Sequence, residues 1–312
     1  MSGWIFEGLT LPKDDLAPDT CEDRVVILPP GFAAVIDGAT DITGRRHGTR
    51  SGGALAAEAI AGAFADAWTA QFRGGPDPFA TAADALALAD RAIAALYARL
   101  GLAEAARDPA RRFRAAFAVA SLKNGVWRGV GVGDCALRIN DAAPVLCDHP
   151  AEAVLAAWRA AMIAADPLLP EEGIRAALVG GVSSADASAR RCAEGLAEAE
   201  TELGRIALAA GIAGMRAARP GAPLAFGVAD GVGDMGLDFG WQLLAPETDV
   251  EALALWSDGW LSPGGRSIGH WLAAAEAAHA ADPRRVGRYR CVKGPGASGR
   301  HDDMGLVLIR RA

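Results

Sequence analysis

Three aspartates next to apolar runs are the residues of this sequence best placed to do chemistry. Asp37 follows FAAVI, Asp258 follows LALWS, and Asp302 comes shortly before MGLVLI. Carboxylates within a few ångströms of one another repel, and a bound multivalent cation or a proton must relieve that repulsion. If their strands converge, the sequence predicts a cluster of oxygen ligands suited to a hard divalent metal ion.

Each aspartate also has a simpler interpretation. Asp-Gly is a favoured turn dipeptide, and an aspartate often ends a strand without binding anything. The order of the acidic segments favours the metal site over separate turns, because several arrive at strand ends in succession. The segments are Glu22-Asp23, Asp37-Gly38, Gly133-Asp134, Asp258-Gly259 and Asp302-Asp303.

This succession resembles the metal-dependent serine/threonine protein phosphatases of the PPM (type 2C) family. The resemblance covers roughly residues 22–309, nearly the whole chain. It implies an α+β fold, a four-layer α-β-β-α sandwich with two antiparallel β-sheets, and metal ions at one end of the sandwich. Since one site would draw on residues from 22 to 302, no domain boundary can fall between them. We therefore expect a single phosphatase-like domain over residues 1–312.

The resemblance also implies a cofactor and its ligands. The cofactor would be Mg²⁺ or Mn²⁺, with two ions and a weaker third. Asp37 would bridge two ions, Gly38 would contribute its carbonyl, and Glu22 and Asp23 would act mainly through water. The implied metal ligands are Glu22, Asp23, Asp37, Gly38, Asp134, Asp258 and Asp302, with Asp37 and Asp258 as the catalytic residues.

Two positions depart from the family pattern. Pro18 stands where some members have a phosphate-gripping Arg, and Ala39 stands where some have a His that acts as general acid. Lys13, Arg45 or Arg46 would then bind phosphate. A Lys in that role lacks the bidentate fork of Arg, so phosphate binding would be weaker.

Three functions remain open at this point. The first is a phosphatase acting on phosphoserine or phosphothreonine in a protein substrate. The second is a low-activity regulatory module that keeps the fold and metals and binds phosphorylated ligands, as Pro18 and Ala39 suggest. The third is a hydrolase of small phosphoesters. Asp303 stands where many members have Asn, and Cys21 stands where many bacterial members have Asn, so both depart from the family pattern as well.

The composition disfavours two classes of partner, nucleic acids and membranes. A net charge of −7 and only three Lys in 312 residues disfavour a nucleic-acid partner, which needs a basic face. The Ala-rich segments are interrupted by charges before membrane-spanning length, and the N-terminus lacks the pattern of a signal peptide. The five cysteines are odd in number and lack a C-x-x-C pair, so we expect free thiols in a cytoplasmic protein without a membrane partner.

The remaining segments must position the acidic residues. Ile60, Phe64, Trp68 and Phe72 recur every four residues and predict an amphipathic helix, which a second helix follows over 81–100. An Asn-Gly turn predicts a hairpin whose arms are 111–122 and 126–139. Residues 150–218 are predicted to form a second helical layer. The last third predicts strands at 224–230, 240–245 and 253–258, a helix at 268–281 and a closing strand at 304–311.

Three glycine-rich segments imitate binding motifs. GPGASG at 294–299 matches the dinucleotide fingerprint, but a strand follows it where that motif requires a helix. GVGDCA at 131–136 fails the same test. DGVGDMG at 230–236 imitates the first metal segment, and a glycine-rich turn is the expected structure. No serine or cysteine nucleophile motif and no zinc spacing of histidines accompanies them.

Overall fold

The computed structural model describes residues 3–71, 75–233, 237–261 and 264–312. Within those ranges nine strands form two antiparallel sheets. The strands are β1 (Trp4–Leu11), β2 (Arg24–Leu28), β3 (Phe32–Gly38), β4 (Ala115–Lys123), β5 (Val126–Val132), β6 (Ala136–Ile139), β7 (Gly240–Pro246), β8 (Ala252–Trp256) and β9 (Met304–Arg311). One sheet has the order β1-β9-β8-β6, and the other has the order β2-β3-β4-β5-β7.

Eight α-helices lie in the described ranges. They are α1 (Gly52–Gln71), α2 (Ala82–Leu100), α3 (Ala103–Arg107), α4 (Pro150–Ala165), α5 (Glu171–Gly180), α6 (Ala187–Glu194), α7 (Glu202–Ala217) and α8 (Ile268–Ala281). Several ends follow standard capping chemistry. The Thr81 side chain accepts a hydrogen bond from the Asp84 N–H at the start of α2, and Gly101 ends that helix with a positive φ of 67°.

The alternation of side chains along β3 explains how the layers form. Ala33 and Val35 point into the apolar cluster between the two sheets, together with Val307 of β9. Phe32 and Ile36 point the other way, into the cluster that the sheet shares with α1 and α2. Both faces of β3 are therefore buried, one against the other sheet and the opposite one against the helical layer.

Helix α8 covers the outer face of the other sheet. Trp271 of α8 is fully buried, and its ring centroid lies 5.1 Å from that of Trp256 and 5.5 Å from that of Trp260. Leu306 and Leu308 of β9 complete this cluster. The layers are thus helices, sheet, sheet and helix, which confirms the predicted α+β class and four-layer α-β-β-α sandwich with two antiparallel sheets.

Residues 150–218 form helices as predicted, but the prediction that these helices make the second layer on the sandwich is wrong. The helices α4 to α7 do form there, but their buried apolar side chains pack on one another around Trp158, in a cluster that contains no strand residue among those described. The second helical layer on the sheet is α8 instead. Periodicity identifies a helix and its apolar face, but it does not identify the partner of that face.

Two predicted strands need correction, and one strand was not predicted. The second hairpin arm is two strands, because Gly133 adopts a φ of 81° and the chain passes from one sheet to the other between β5 and β6. Residues 224–230 form only an isolated bridge between Ala115 and Ala229. Strand β1 was not predicted, and it pairs along its whole length with β9.

Other predictions hold. The hairpin turn has positive φ at both Asn124 and Gly125, 51° and 72°, which suits the twist of the paired strands. Helices α2 and α8 lie where the sequence placed them. Ile60, Phe64 and Trp68 are buried along α1, and Phe72 lies outside the described residues. All five cysteines are free thiols, and no helix among the described residues is long and apolar enough to cross a bilayer.

Candidate metal centre

Four aspartates reach one end of the sandwich because of the strand directions. β3 and β5 both pair antiparallel with β4, so Asp37 near the end of β3 and Asp134 just after β5 lie at the same sheet edge. In the other sheet β8 and β9 are antiparallel, so Asp258 after β8 lies near Asp302 before β9. These four carboxylates line one cavity, as expected if the separate strand ends converge. Their binding of metal stays a prediction.

The cavity has a volume of about 990 Å³, and Glu22 lines it together with these four aspartates. A carboxylate oxygen of Asp37, one of Asp134 and the Sγ of Cys135 all lie within 4.8 Å of one another. Burial raises the pKa of the Cys135 thiol well above its ordinary value, so the thiol is neutral in the metal-free protein.

Lys293 is the part of the site that sequence reasoning missed. Its Nζ contacts Asp302 Oδ2 and lies 3.7 Å from Asp258 Oδ2. The only available signal was compositional, because Lys293 is one of three Lys in a chain that otherwise uses Arg. Its contact with carboxylates about 9 and 35 positions away along the chain has no local pattern.

The pKa shifts of the aspartates indicate that their negative charges are poorly balanced in the metal-free site. Burial, and then neighbouring carboxylates, raise the pKa of Asp37 and Asp134 well above the ordinary aspartate value. Burial and Asp258 raise the pKa of Asp302 to about 7. Burial also favours the protonated form of Asp258, but the Lys293 ammonium and the contacts with Asp37 and Asp302 outweigh it and lower that pKa.

Glu22 and Asp23 occupy different surroundings. Glu22 faces the cavity and accepts hydrogen bonds from the Ser51 hydroxyl and, at 2.7 Å, from Thr40 Oγ1. Asp23 is only 1% exposed, and its Oδ2 accepts a hydrogen bond of 2.5 Å from Ser257 Oγ. Both are held by hydroxyl groups, which suits a supporting position behind the four aspartates.

Gly38 lies where the chain leaves β3 and approaches α1. A Cβ at this position would lie 2.4 Å from the carbonyl oxygen of Gly53 and 2.8 Å from that of Glu22. The close approach requires glycine. Binding of a metal ion by the Gly38 carbonyl stays a prediction.

Asp303 connects the two ends of the chain at the site. Its Oδ1 accepts a hydrogen bond of 2.5 Å from the backbone N–H of Lys13, and its Oδ2 accepts one of 2.7 Å from the backbone N–H of Glu22. Both oxygens must be acceptors, which explains why a carboxylate suits this position better than the amide expected from the resemblance.

Asp303→Asn is expected to lower the free energy of unfolding by about 1–3 kcal/mol, because the amide nitrogen cannot accept and leaves one buried N–H without a partner. Urea denaturation would measure the change. Asp15→Asn is the matched control: Asp15 pairs with Arg300 while 56% exposed, and such a pair contributes about 1 kcal/mol or less. Equal losses in the two variants would contradict the connecting role of Asp303.

The three predicted phosphate-binding residues all line the cavity, but they differ in exposure. Arg45 and Arg46 are exposed on the segment between β3 and α1 at the cavity wall. Lys13 also lines the cavity, and burial lowers its pKa although Asp302 opposes the shift. Their binding of phosphate stays a prediction.

Arg216 near the end of α7 also lines the cavity and was not predicted. Its Nη2 donates to the Thr40 carbonyl at 3.1 Å, and its guanidinium lies 5.7 Å from the ring centroid of Phe226. Burial lowers its pKa, while Glu22, Asp41, Glu152 and Asp134 act in the opposite direction. It is therefore a cation held against the acidic side of the site.

The residues fit a hard divalent cation. Four aspartate carboxylates line the cavity, and the Lys293 ammonium group is in direct contact with one of them, Asp302. Asp258 Oδ1 is buried with no hydrogen-bond partner among the described residues. An oxygen-rich, negatively charged site of this kind suits Mg²⁺ or Mn²⁺. Zinc sites are built mainly from Cys and His, whereas this group offers one thiol and otherwise carboxylate oxygens.

The glycine-rich imitations lie in loops. Residues 294–299 precede β9 without a helix, and Gly296 packs against Lys13. Asp230 is buried away from the cluster in an ion pair of 2.9 Å with Arg112. The turn after it has positive φ at Gly231 and Gly233, as predicted, and residues 234–236 lie outside the described ranges.

No family model and no curated protein sequence matches this chain. Among solved structures, it is similar to the serine/threonine phosphatase Stp1 from Staphylococcus aureus, with 11% identity and a TM-score of 0.47 over 100% of this chain and 97% of that one. It is also similar to the serine/threonine phosphatase PstP/Ppp from Mycobacterium tuberculosis, with 15% identity and a TM-score of 0.48 over 99% and 98%. The catalytic domain of PstP in complex with two manganese ions has 14% identity and a TM-score of 0.46 over 99% of each chain. At such values, the site must be judged from this chain's own side chains.

Proposed function

We propose that this chain is a Mg²⁺- or Mn²⁺-dependent phosphatase that hydrolyses phosphoserine or phosphothreonine in proteins. One observation carries the proposal: Asp37, Asp134, Asp258 and Asp302, from four separate strand ends, line a single cavity. Nothing in the packing of the sandwich requires buried carboxylates to meet, and their repulsion opposes folding. A site that retains such a cost is a candidate for function.

The roles of the residues follow from their positions. A bound divalent ion would supply charge stabilisation for phosphoryl oxygens and would make water more acidic. Asp37 and Asp134 would hold it from one sheet, and Asp258 and Asp302 would bind positive charge from the other. Glu22, fixed by Ser51 and Thr40, would orient water at the cavity side of the cluster.

Cations at the cavity wall would bind the substrate phosphate. Arg216 offers a planar fork of donors suited to a phosphate group, and Arg45 and Arg46 would add weaker attraction from the exposed edge. Ala39 offers no proton, so the leaving alkoxide must receive its proton from water or from another group at the cavity. A slow enzyme is the expected consequence.

A low-activity regulatory module is the second candidate. The specific observation in its favour is the Lys293 ammonium inside the carboxylate cluster, which adds to Pro18 and Ala39. Tight retention of a phosphorylated ligand without product would support this function. A small phosphoester as substrate is the third candidate, because the cavity volume falls within the range of small-molecule sites.

The partner and the setting belong to the same proposal. The substrate would be a phosphorylated protein, and the five free thiols fit a reducing compartment such as the cytoplasm. The chain would act as a single domain, because the cavity is lined from both sheets and from the helices α5 and α7.

The proposal is tested by assaying purified, chelator-treated protein on p-nitrophenyl phosphate and phosphopeptides, with and without Mn²⁺ or Mg²⁺. Phosphate release that requires the metal, with phosphopeptides preferred over small phosphoesters, is the expected result. Normal metal binding without release from any substrate would reject the phosphatase and leave the regulatory module. Preference for a small phosphoester would favour the third candidate.

A further inference from the structure

The ammonium group of Lys293 lies where a cation is expected to be bound. Its Nζ contacts Asp302 Oδ2 and lies 3.7 Å from Asp258 Oδ2, so it bridges the two carboxylates that come from the β8–β9 side of the site. Among the described residues, no Lys or Arg nitrogen lies within 4.0 Å of Asp37 or Asp134 on the other side. The two halves of the cluster therefore differ in how their charge is balanced.

The loop that carries Lys293 is built into the protein. One ring nitrogen of the fully buried His301 lies 2.8 Å from the Lys293 carbonyl oxygen, and the other lies 3.0 Å from the Pro283 carbonyl oxygen. The Cys291 thiol also donates to the Lys293 carbonyl oxygen at 3.2 Å. These contacts fix the backbone from which the lysine side chain reaches the carboxylates.

Space at Asp302 is the decisive consideration. A Mg²⁺ ion requires an oxygen ligand at about 2.0–2.1 Å in near-octahedral geometry. An ammonium group that contacts the same Asp302 oxygen, and lies beside Asp258, fills the volume between the two carboxylates. A divalent ion and this ammonium group exclude each other there, by volume and by like charge.

We propose that Lys293 is a tethered cation that takes the place of one divalent ion between Asp258 and Asp302. This inference rests on the proposed metal-dependent function and deepens it. The chain binds a divalent ion at the Asp37–Asp134 side, and the Lys293 side chain supplies the positive charge at the other side. The site consequently holds one ion fewer than its four carboxylates would otherwise support.

The number of bound metal ions tests this directly. Chelator-treated wild-type protein, Lys293→Met and Lys293→Gln would be titrated with Mn²⁺ by calorimetry, and bound metal would be counted after equilibrium dialysis. We expect one Mn²⁺ per wild-type chain and two per chain in both variants. Equal counts in the wild type and the two variants would overturn the proposal.

Lys123→Met is the matched control, since Lys123 pairs with Asp77 at 3.4 Å on the protein surface, away from the cavity. We expect it to bind as many Mn²⁺ ions as the wild type. The variants without Lys293 should melt at a lower temperature than Lys123→Met in EDTA, and Mn²⁺ should restore most of the difference. A melting temperature equal to that of Lys123→Met in EDTA would contradict the role of the ammonium as a replacement cation.

A measurement on the wild type alone covers the case in which the variants do not fold. Crystals of the wild-type protein would be soaked in Mn²⁺, and the bound ions would be located by anomalous scattering. A peak beside Asp37 and Asp134, with none between Asp258 and Asp302, is expected. A peak between Asp258 and Asp302 would overturn the proposal.

These readouts need no substrate, so the two proposals fail separately. Protein with the expected metal counts and no phosphate release would retain the role of Lys293 and lose the phosphatase function. An active phosphatase whose wild type binds two ions would retain the function and lose the role of Lys293.

Discussion

Asp37→Asn is expected to reduce metal-dependent phosphatase activity by more than about 100-fold. Loss of a residue that only supports a metal ligand typically costs about 10- to 100-fold in metal affinity or activity, and the loss of a ligand should exceed that. Asp37 lies at the centre of the cluster, with Asp134 within 4.8 Å and Asp258 in contact. Activity at saturating Mn²⁺ and Mn²⁺ affinity by calorimetry would both be measured.

The same substitution should stabilise the metal-free protein. Burial and neighbouring carboxylates raise the pKa of Asp37, which means that its charged form is unfavourable in the folded state without metal. Asparagine resembles the protonated carboxyl and removes that cost. The melting temperature in EDTA should rise, by about 2–4 °C for each kcal/mol gained.

A loss of activity together with a gain in stability distinguishes a metal ligand from a structural aspartate. Asp141→Asn serves as the control, because Asp141 is 79% exposed and pairs with Arg266 far from the cavity. It should leave both quantities unchanged. Retained turnover in Asp37→Asn, or a large loss of stability in EDTA, would show that Asp37 is a structural residue and not a ligand.

The four aspartates were predictable because each lies at a strand end. A strand end is marked locally by an apolar run and a turn residue, and antiparallel pairing then brings alternate ends to one edge. Asp37 and Asp134 meet because their strands both pair with β4, and Asp258 and Asp302 meet because their strands pair with each other. Local signals combined with simple pairing rules were sufficient for this part of the site.

Lys293 and Arg216 were not predictable in the same way. Each reaches the cavity from a segment whose position depends on packing between distant parts of the chain. Lys293 depends on a loop held by the buried His301, and Arg216 depends on how α7 packs in the separate cluster of α4 to α7. Residues 224–230 show the converse case: they have the composition of a strand, but pairing with β4 is limited to the bridge at Ala229.

The cluster of α4 to α7 therefore has a functional consequence. It does not cover a sheet as predicted. Instead, α5 and α7 contribute a wall of the cavity, with Ile174, Val179, Ile212 and Met215 among the lining residues. Arg216 follows directly after this apolar wall, so a phosphate group at Arg216 would have apolar substrate atoms beside it.

Arg216→Ala is expected to lower kcat/KM for phosphopeptides by about 10- to 100-fold. A hydrogen bond to a charged group contributes about 1.5–3 kcal/mol, and the loss should appear mainly as an increase in KM if Arg216 binds phosphate in the ground state. Arg216→Lys keeps the charge but lacks the bidentate fork, so it should recover only part of the activity. Inhibition by inorganic phosphate should weaken in parallel with the loss of substrate affinity.

Arg45→Ala and Arg46→Ala test the sites predicted from the sequence. Both side chains are exposed, and an exposed charge pair contributes about 1 kcal/mol or less, so each variant should lose less than about fivefold. Arg219→Ala is the structural control, because Arg219 is exposed beyond the end of α7 and does not line the cavity. Its melting temperature and kinetics should match the wild type. If Arg45→Ala or Arg46→Ala weakens phosphate inhibition more than Arg216→Ala does, the phosphate is bound at the exposed edge and the role of Arg216 is structural.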